Sequence, residues 1–262
     1  MPYLPRGRVL AFAHRGGAYH PEIEGLENTM AAFRHAAALG YDYLETDVHL
    51  TADGVLLAFH DDVLDRVTDQ QGAVRELTLA DVRRARIGGR EEVPTLVDLL
   101  DAFPGARFNI DIKSDDAVAP LAQLVRERGL WDRVLIGSFS RKRIRRFRAL
   151  TDGRVPTAAD PLQVVAWRLS PSARLARLLA GGGFAAFQVP HRHRRLVVVT
   201  PGLVRRAHAA GVQVHVWTID DPAEMVELLD LGVDGLFTDR TDLLKDVLQG
   251  RGQWWSLGGT TP

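Results

Sequence analysis

Short β-rich runs alternate with helical runs along nearly the whole chain, and no other feature of the sequence constrains its fold as much. The β-like runs cover residues 9–13, 43–47, 107–112, 134–137, 154–158, 186–189, 212–216 and 235–238. Between most of them lie runs with helical periodicity, at 28–39, 117–128, 141–150, 203–210, 222–231 and 241–248. Asp221-Pro222-Ala223-Glu224 places an N-cap, a proline for the first helical position and a capping-box acid in succession. Gly40, Gly129, Gly211 and Gly232 each follow a helical pattern, where a residue of positive φ commonly ends the helix. Eight strands alternating with helices over roughly 250 residues predict an α/β fold, a (β/α)8 TIM-type barrel. A doubly wound open sheet would call for a G-x-G-x-x-G turn after the first strand. His14-Arg15-Gly16-Gly17 stands there instead.

Two regions interrupt the rhythm. Runs 48–51 and 55–59 flank Ala52-Asp53-Gly54, and Asp-Gly between β-like runs signals a β-hairpin. Such a hairpin, above the barrel mouth, returns His60 toward Glu45 and Asp47. From Asp61 to Pro104 no core strand is evident, only short helical patterns capped at Thr78 and Thr95. This reads as a small helical and loop insertion after the second core strand (61–104), placed to shape a pocket. The expectation is a single barrel domain over 1–249 and a C-terminal tail over 250–262, poorly ordered except where Trp254 and Trp255 hold it.

Composition narrows the function. The 262 residues are 46% hydrophobic, enough for a substantial core. Basic and acidic residues balance at 33 each, so no overall field argues for nucleic acid. The absence of cysteine excludes thiol catalysis and disulfides. Residues 1–8 lack the apolar segment of a signal peptide, and no apolar run approaches the ~20 residues of a membrane span. A cytoplasmic protein is the expectation.

The chemistry-bearing residues gather at the ends of elements. Glu45 and Asp47 are two apart on a predicted strand, so they share a face. Paired carboxylates repel unless a cation or shared proton relieves them, and a hard divalent ion accepts oxygen ligands of this kind. An ordinary exposed pair is the bland alternative. It loses weight because Asn109-Ile110-Asp111-Ile112-Lys113 repeats the spacing, offering Asp111 as a third ligand and Lys113 as a phosphate contact. His14 and His60 each follow an apolar β run, and two histidines flanking a scissile bond supply an acid and a base. Arg15 suits a phosphate oxygen; a strand-end salt bridge is its bland alternative. Asn28 is expected to cap the first helix, leaving an exposed, anion-favouring N-terminus near His14.

Taken together, these words resemble the glycerophosphodiester phosphodiesterase family. The likeness runs through HRGG (14–17), ENT (27–29), ETDVHLTADG (45–54), FHD (59–61), VPTL (93–96), NIDIK (109–113), VWTID (216–220) and GVDGLFTD (232–239). Each word is weak alone, but eight in the family's order are specific. The resemblance implies a TIM-type barrel with one divalent metal ion, Mg²⁺ or Ca²⁺, held by Glu45, Asp47 and Asp111. It implies His14 and His60 as general acid and base, and phosphate contacts from Arg15 and Lys113. Glu27 would be a pocket residue, as an outer ligand or an orienting partner, and Trp217 an apolar wall beside the glycerol. The family usually carries glutamate where this chain has Asp111, one methylene shorter, which puts metal affinity or ion choice in question.

The reaction implied is metal-assisted hydrolysis of small glycerophosphodiesters, such as glycerophosphocholine or glycerophosphoethanolamine, to sn-glycerol 3-phosphate and an alcohol. Lysophospholipase D activity on lysophospholipids keeps the chemistry and changes the substrate; a non-catalytic phosphate-ligand barrel removes the chemistry. Three further features have plainer readings. Arg141–Leu150 has Ile144, Phe147 and Leu150 at helical spacing, an outer helix with a solvated basic face rather than a nucleic-acid patch. His191-Arg192-His193-Arg194-Arg195 reads as an exposed charged loop. Trp167, Leu169, Leu175, Leu178 and Leu179 with nearby arginines would touch a membrane if unpacked, but ordinary packing is the simpler expectation. Oligomeric state leaves no mark in the sequence.

Overall fold

A computed structural model describes residues 3–255. In chain order it contains β1 (Leu10–Ala13), α1 (Met30–Ala38), β2 (Tyr43–Leu50), β3 (Leu56–Ala58), α2 (Leu79–Val82), α3 (Leu96–Ala102) and β4 (Arg107–Ile112). There follow α4 (Val118–Glu127), β5 (Val134–Gly137), α5 (Arg141–Leu150), α6 (Pro161–Leu169), α7 (Ala173–Ala180) and β6 (Ala186–Pro190). The remainder holds β7 (Arg192–His193), β8 (Leu196–Val197), α8 (Pro201–Ala209), β9 (Gln213–Trp217), α9 (Pro222–Asp230), β10 (Gly235–Thr238) and α10 (Thr241–Gly250).

Seven parallel strands lie side by side in the order β5-β4-β2-β1-β10-β9-β6. The two ends of this sheet are joined through residues 157 and 158, by the parallel bridges Ile136↔Thr157 and Ala158↔Ala186. The sheet is therefore nearly closed into a TIM-type barrel with helices around it. The strand expected at 154–158 is reduced to those bridges. Pro156 has no N–H to donate, so only its carbonyl enters the ladder, accepting from Ile136.

Other predicted core strands lie within a few residues of their expected positions. β2 continues to Leu50 because its last residues form one arm of the expected hairpin, with Val48, His49 and Leu50 opposite Ala58, Leu57 and Leu56. Gly40, Gly129, Gly211 and Gly232 all have positive φ. Asp221 caps α9 by accepting from Ala223 and Glu224, but the Glu224 side chain leaves the cap and meets His191 at 2.5 Å.

Register places the polar positions in tiers. Tyr43, Glu45 and Asp47 on β2 stand opposite Arg107, Asn109 and Asp111 on β4. The N-terminal end of the lumen is apolar and aromatic, built from Leu10, Phe12, Tyr43, Leu135, Ala186 and Phe237. Tyr3 and Trp255 close it: the Tyr43 hydroxyl donates to the Tyr3 carbonyl at 2.7 Å, and the Trp255 indole N–H to Val9 O at 2.7 Å. The larger apolar layer lies between strands and helices, where Phe108, Ile110, Ile136, Phe187, Val214 and Leu236 are buried.

The insertion at 61–104 packs Leu64, Val74, Val82 and Ile87 against Leu57 and Phe59 in a small separate core. Thr78 and Thr95 each close a complete capping box, with Asp81 and Asp98. Trp254 and Trp255 do hold the start of the tail, Trp254 packing 5.1 Å from the Tyr41 ring. Residues 256–262 lie outside the described residues.

Three local expectations are corrected. Thr29, not Asn28, caps α1 by accepting from Ala32; both residues are buried, so this helix presents no exposed N-terminus. The stretch 191–195 is no simple loop: β7 and β8 pair as a small antiparallel hairpin, and His191 at its base is buried. In the 161–180 region Trp167 is buried, as ordinary packing expects, whereas Leu169, Leu178 and Leu179 are exposed. α5 buries Ile144 and Phe147, and Lys142 and Arg143 pair with Asp115, as an outer helix with a solvated basic face should. Among the described residues, no helix is long and apolar enough to cross a membrane.

Candidate active site

The C-terminal ends of β1, β2 and β4 bring Arg15, Glu45, Asp47, Asp111 and Lys113 together, and the β2–β3 hairpin adds His60. After β1 the chain makes a tight turn over His14–Gly16, in which Arg15 has φ +48° and Gly16 +86°. A Cβ on Gly16 would lie 2.7 Å from the Ala32 Cβ, so only glycine lets α1 approach this turn. The turn aims the Arg15 N–H at Glu45 Oε2, 3.0 Å away. Arg15 Nε lies 3.2 Å from Asp47 Oδ2, and its Nη1 lies 3.1 Å from Glu27 Oε1.

Asn28 has a different task from the expected cap. Its φ of +58° turns the side chain toward β2, where Nδ2 donates to Asp47 Oδ2 at 3.1 Å and Oδ1 accepts from Thr46 at 2.8 Å. Lys113 Nζ sits between two acids, 3.0 Å from Asp47 Oδ1 and 2.6 Å from Asp111 Oδ2.

Both histidines are tethered at Nδ1 by an aspartate. His14 Nδ1 is 3.0 Å from Asp239 Oδ1, and His60 Nδ1 is 2.5 Å from Asp61 Oδ1. The loop bearing Asp239 is held by Asp220, whose Oδ1 accepts from Asp239 N and the Thr238 hydroxyl, each at 2.8 Å. The His49 ring nitrogen Nε2 lies 3.0 Å from the His60 carbonyl; burial lowers the His49 pKa, which keeps the ring neutral with a proton to donate there. Arg66, from the insertion, bonds both carboxylate oxygens of Glu27 and both of Asp61, tying Glu27 to the His60 pair.

The charge states follow from burial set against neighbours. Burial disfavours a charged His14, yet Glu45 and Asp239 outweigh it and push its pKa up to about 9. Burial, then repulsion from Asp47, pushes Glu45 up to about 7 against the pull of His14 and Arg15. Asp47 is equally buried, but Lys113 and Arg15 hold it below the usual carboxylate range. Burial raises Asp111, with Lys113 opposing. Burial also opposes the charge on Lys113, but Asp47 and Asp111 overcome this and raise its pKa.

Glu45, Asp47 and Asp111 stand on adjacent strands, but they do not bring one oxygen each within 4.8 Å of one another; the Lys113 ammonium stands between two of them. As a donor set they suit a hard divalent ion: three carboxylates from adjacent strands, two of them destabilised as anions by burial. Among the described residues, the group that does converge is His20, Glu22 and His35. There His20 Nδ1 accepts from the Glu22 N–H at 3.2 Å, and His35 Nε2 lies 3.4 Å from Glu22 Oε2.

Trp217 closes β9 at the mouth, edge-on to Phe139 at 5.8 Å, and Phe139 also lies under Lys113 Nζ at 5.8 Å. Sequence reasoning did not single out Asp61, Arg66, Phe139 or Asp239. FHD and GVDGLFTD contain two of them, and an aspartate adjoining a histidine or ending a predicted strand was the available signal. Arg66 and Phe139 had none.

Comparison with known proteins bears on the family and the fold. The model of the glycerophosphoryl diester phosphodiesterase family matches residues 14–243. A Mycobacterium tuberculosis protein named "Probable glycerophosphodiester phosphodiesterase 2" is 43% identical over 260 residues, spanning 96% of this chain and 95% of its own. The crystal structure of a glycerophosphodiester phosphodiesterase from Agrobacterium tumefaciens superposes with a TM-score of 0.73 at 26% identity, covering 90% of this chain and 99% of that one. A phosphodiesterase from Oleispira antarctica, solved in complex with the product sn-glycerol-3-phosphate, shares the fold with a TM-score of 0.78 at 23% identity, over 94% of this chain and 98% of its own. A family match beginning at His14 and running through β10, with a close relative aligned over nearly the full length, means that this chain belongs to the glycerophosphoryl diester phosphodiesterase family and is an enzyme of that family.

Proposed function

We propose that the enzyme hydrolyses small glycerophosphodiesters, such as glycerophosphocholine and glycerophosphoethanolamine, to sn-glycerol 3-phosphate and the free alcohol. The observation that carries this reading is the pair of aspartate-tethered histidines, His14–Asp239 and His60–Asp61, set around one cluster of buried carboxylates and cations. Each tether occupies Nδ1 and leaves Nε2 as the atom that handles a proton. One histidine takes the proton of the attacking hydroxyl or water, and the other gives a proton to the departing alcohol oxygen.

Glu45, Asp47 and Asp111 would hold one Mg²⁺ or Ca²⁺, which when bound supplies Lewis-acid neutralisation of the phosphoryl oxygens. Arg15 and Lys113, now turned onto carboxylates, are the cations within reach of a phosphate. With substrate present they exchange a carboxylate partner for a phosphoryl oxygen, and so stabilise the charge that grows in the transition state. Glu27 keeps Arg15 aimed from behind, itself held by Arg66. Trp217 and Phe139 form the apolar wall against which the glycerol carbons lie.

The test is product release from a glycerophosphodiester panel, measured with EDTA, Mg²⁺ or Ca²⁺. Release of glycerol 3-phosphate should require the metal, and His14→Ala should lower kcat by about 10²–10⁴-fold. No release with either ion would refute the substrate class. Equal turnover by the variant would refute the histidine role.

A further inference from the structure

α7 is amphipathic in the wrong sense for an outer barrel helix, and α6, though it buries Trp167, carries a second apolar stripe on its outer side. In α7, the small residues Ala176 and Ala180 face the protein, while Leu175, Leu178 and Leu179 point outward. Leu178 is 82% exposed and Leu179 65%. In α6, Gln163 and Trp167 are buried, whereas Leu162, Val165 and Leu169 form an exposed stripe, Leu169 being 74% exposed. A helix that stabilised this barrel by packing would show the reverse pattern. α6 and α7 pack on each other, and this many exposed aliphatic side chains on two adjoining helices mark contact with something else.

The surrounding charge says what that is. Although the chain as a whole is neutral, its sequence from 161 to 219 contains eight arginines and no aspartate or glutamate. Arg174 and Arg177 of α7 are exposed beside the leucines. Arg168 of α6 donates to the Val197 carbonyl, which joins α6 to the β7–β8 hairpin. On that hairpin Arg192, Arg194 and Arg195 are exposed next to Leu196. The hairpin follows the C-terminal end of β6, so the leucine and arginine surface reaches the same end of the barrel as the catalytic groups.

We propose that α6, α7 and the β7–β8 hairpin form a docking face for an anionic lipid surface, leucines entering the interface and arginines meeting the headgroup phosphates. Pairing with a second copy is disfavoured by the same charge. A two-fold contact would set arginines against arginines in a segment with no carboxylate to offset them. Nucleic acid would use the arginines and leave the leucines in water. The docking face goes beyond the reaction proposed above and is read without it, because lipid binding needs no turnover.

The experiment is co-sedimentation of the full chain with vesicles of phosphatidylcholine alone, or of equimolar phosphatidylcholine and phosphatidylglycerol. Low and high salt are compared. Binding to the anionic vesicles, weakened by salt and absent from phosphatidylcholine alone, is the expected result. Leu178→Asp with Leu179→Asp should lower the partition coefficient about tenfold or more, and Arg174→Glu with Arg177→Glu should do the same. Circular dichroism and the melting temperature check that each variant folds; the arginine pair, whose side chains are exposed although Arg177 also donates to the Ala210 carbonyl, serves if the leucine pair does not. No binding to anionic vesicles overturns the proposal. So does binding that neither pair of substitutions changes, or a dimer in sedimentation velocity that the same substitutions disperse while vesicles remain unbound.

Discussion

At the scale of single residues, the two histidines owe their orientation to aspartates that differ in how far away they lie. Asp61 adjoins His60 in the chain, whereas Asp239 lies 225 residues from His14. Removing the tether leaves the imidazole in place but frees its rotation and its tautomer. Asp239→Asn is therefore expected to lower kcat about tenfold to a hundredfold while KM changes little, and steady-state kinetics on glycerophosphocholine would show it. A rise in KM at constant kcat would mean that Asp239 serves binding instead. Asn28 teaches a related lesson. Asparagine and threonine are both good caps, and residue type alone could not choose between neighbours. Asp47 decided, by drawing the Asn28 amide away and leaving Thr29 to cap α1.

At the scale of elements, the turn after β1 and the β2–β3 hairpin supply the two histidines and Arg15, while β2 and β4 supply the carboxylates and Lys113. Two glycines with nearly the same φ separate strain from crowding. Gly16 has φ +86° and Ala32 Cβ would lie 2.7 Å from an added methyl; Gly54 has φ +83° and nothing within 4 Å. Gly54→Ala is expected to cost about 1 kcal/mol, from backbone conformation alone. Gly16→Ala should cost about 2 kcal/mol more, because α1 must move. Urea denaturation of the two variants measures the difference, and equal losses would mean that α1 yields freely. The hairpin, the insertion and its two capping boxes were legible because Asp-Gly and Thr-x-x-Asp are local signals. The β7–β8 hairpin was not, since its charged residues lack alternation and its buried anchor, His191, depends on Glu224 from α9.

At the scale of the whole molecule, closing the barrel decides which groups are dry. His215 lies in the lumen with no exposed surface, and burial pushes its pKa down to about 3. Its ring nitrogens meet Gln213 Oε1 at 2.9 Å and Gln188 Nε2 at 3.4 Å, which suits the neutral ring. Its folded pKa is below its unfolded one, so the unfolded chain binds the proton first and stability falls as pH drops below about 6.5. Between there and pH 5 the loss from this residue should be roughly 2 kcal/mol. His215→Gln should flatten that part of the profile, measured by chemical denaturation at both pH values; an unchanged slope would show that His215 is not the source. His14 acts with the opposite sign. Its pKa is raised to about 9, so its contribution is fully present below about 6.5 and is lost as pH rises through 9.

Taken by itself, the sequence determined the alternation of strand and helix, the hairpin, most helix ends and the residues standing at strand termini. These rest on periodicity and on backbone preferences that act over a few residues, so they survive without knowledge of the rest of the chain. Only the tertiary structure decided that Asp239 reaches His14, that Lys113 stands between Asp47 and Asp111, and that Pro156 reduces one strand to two bridges. It also decided that α7 turns alanines inward and leucines outward. Partners distant in sequence meet only when the ring closes, and the pKa shifts arise from that closure, because it removes water from around charges that were already written in the chain.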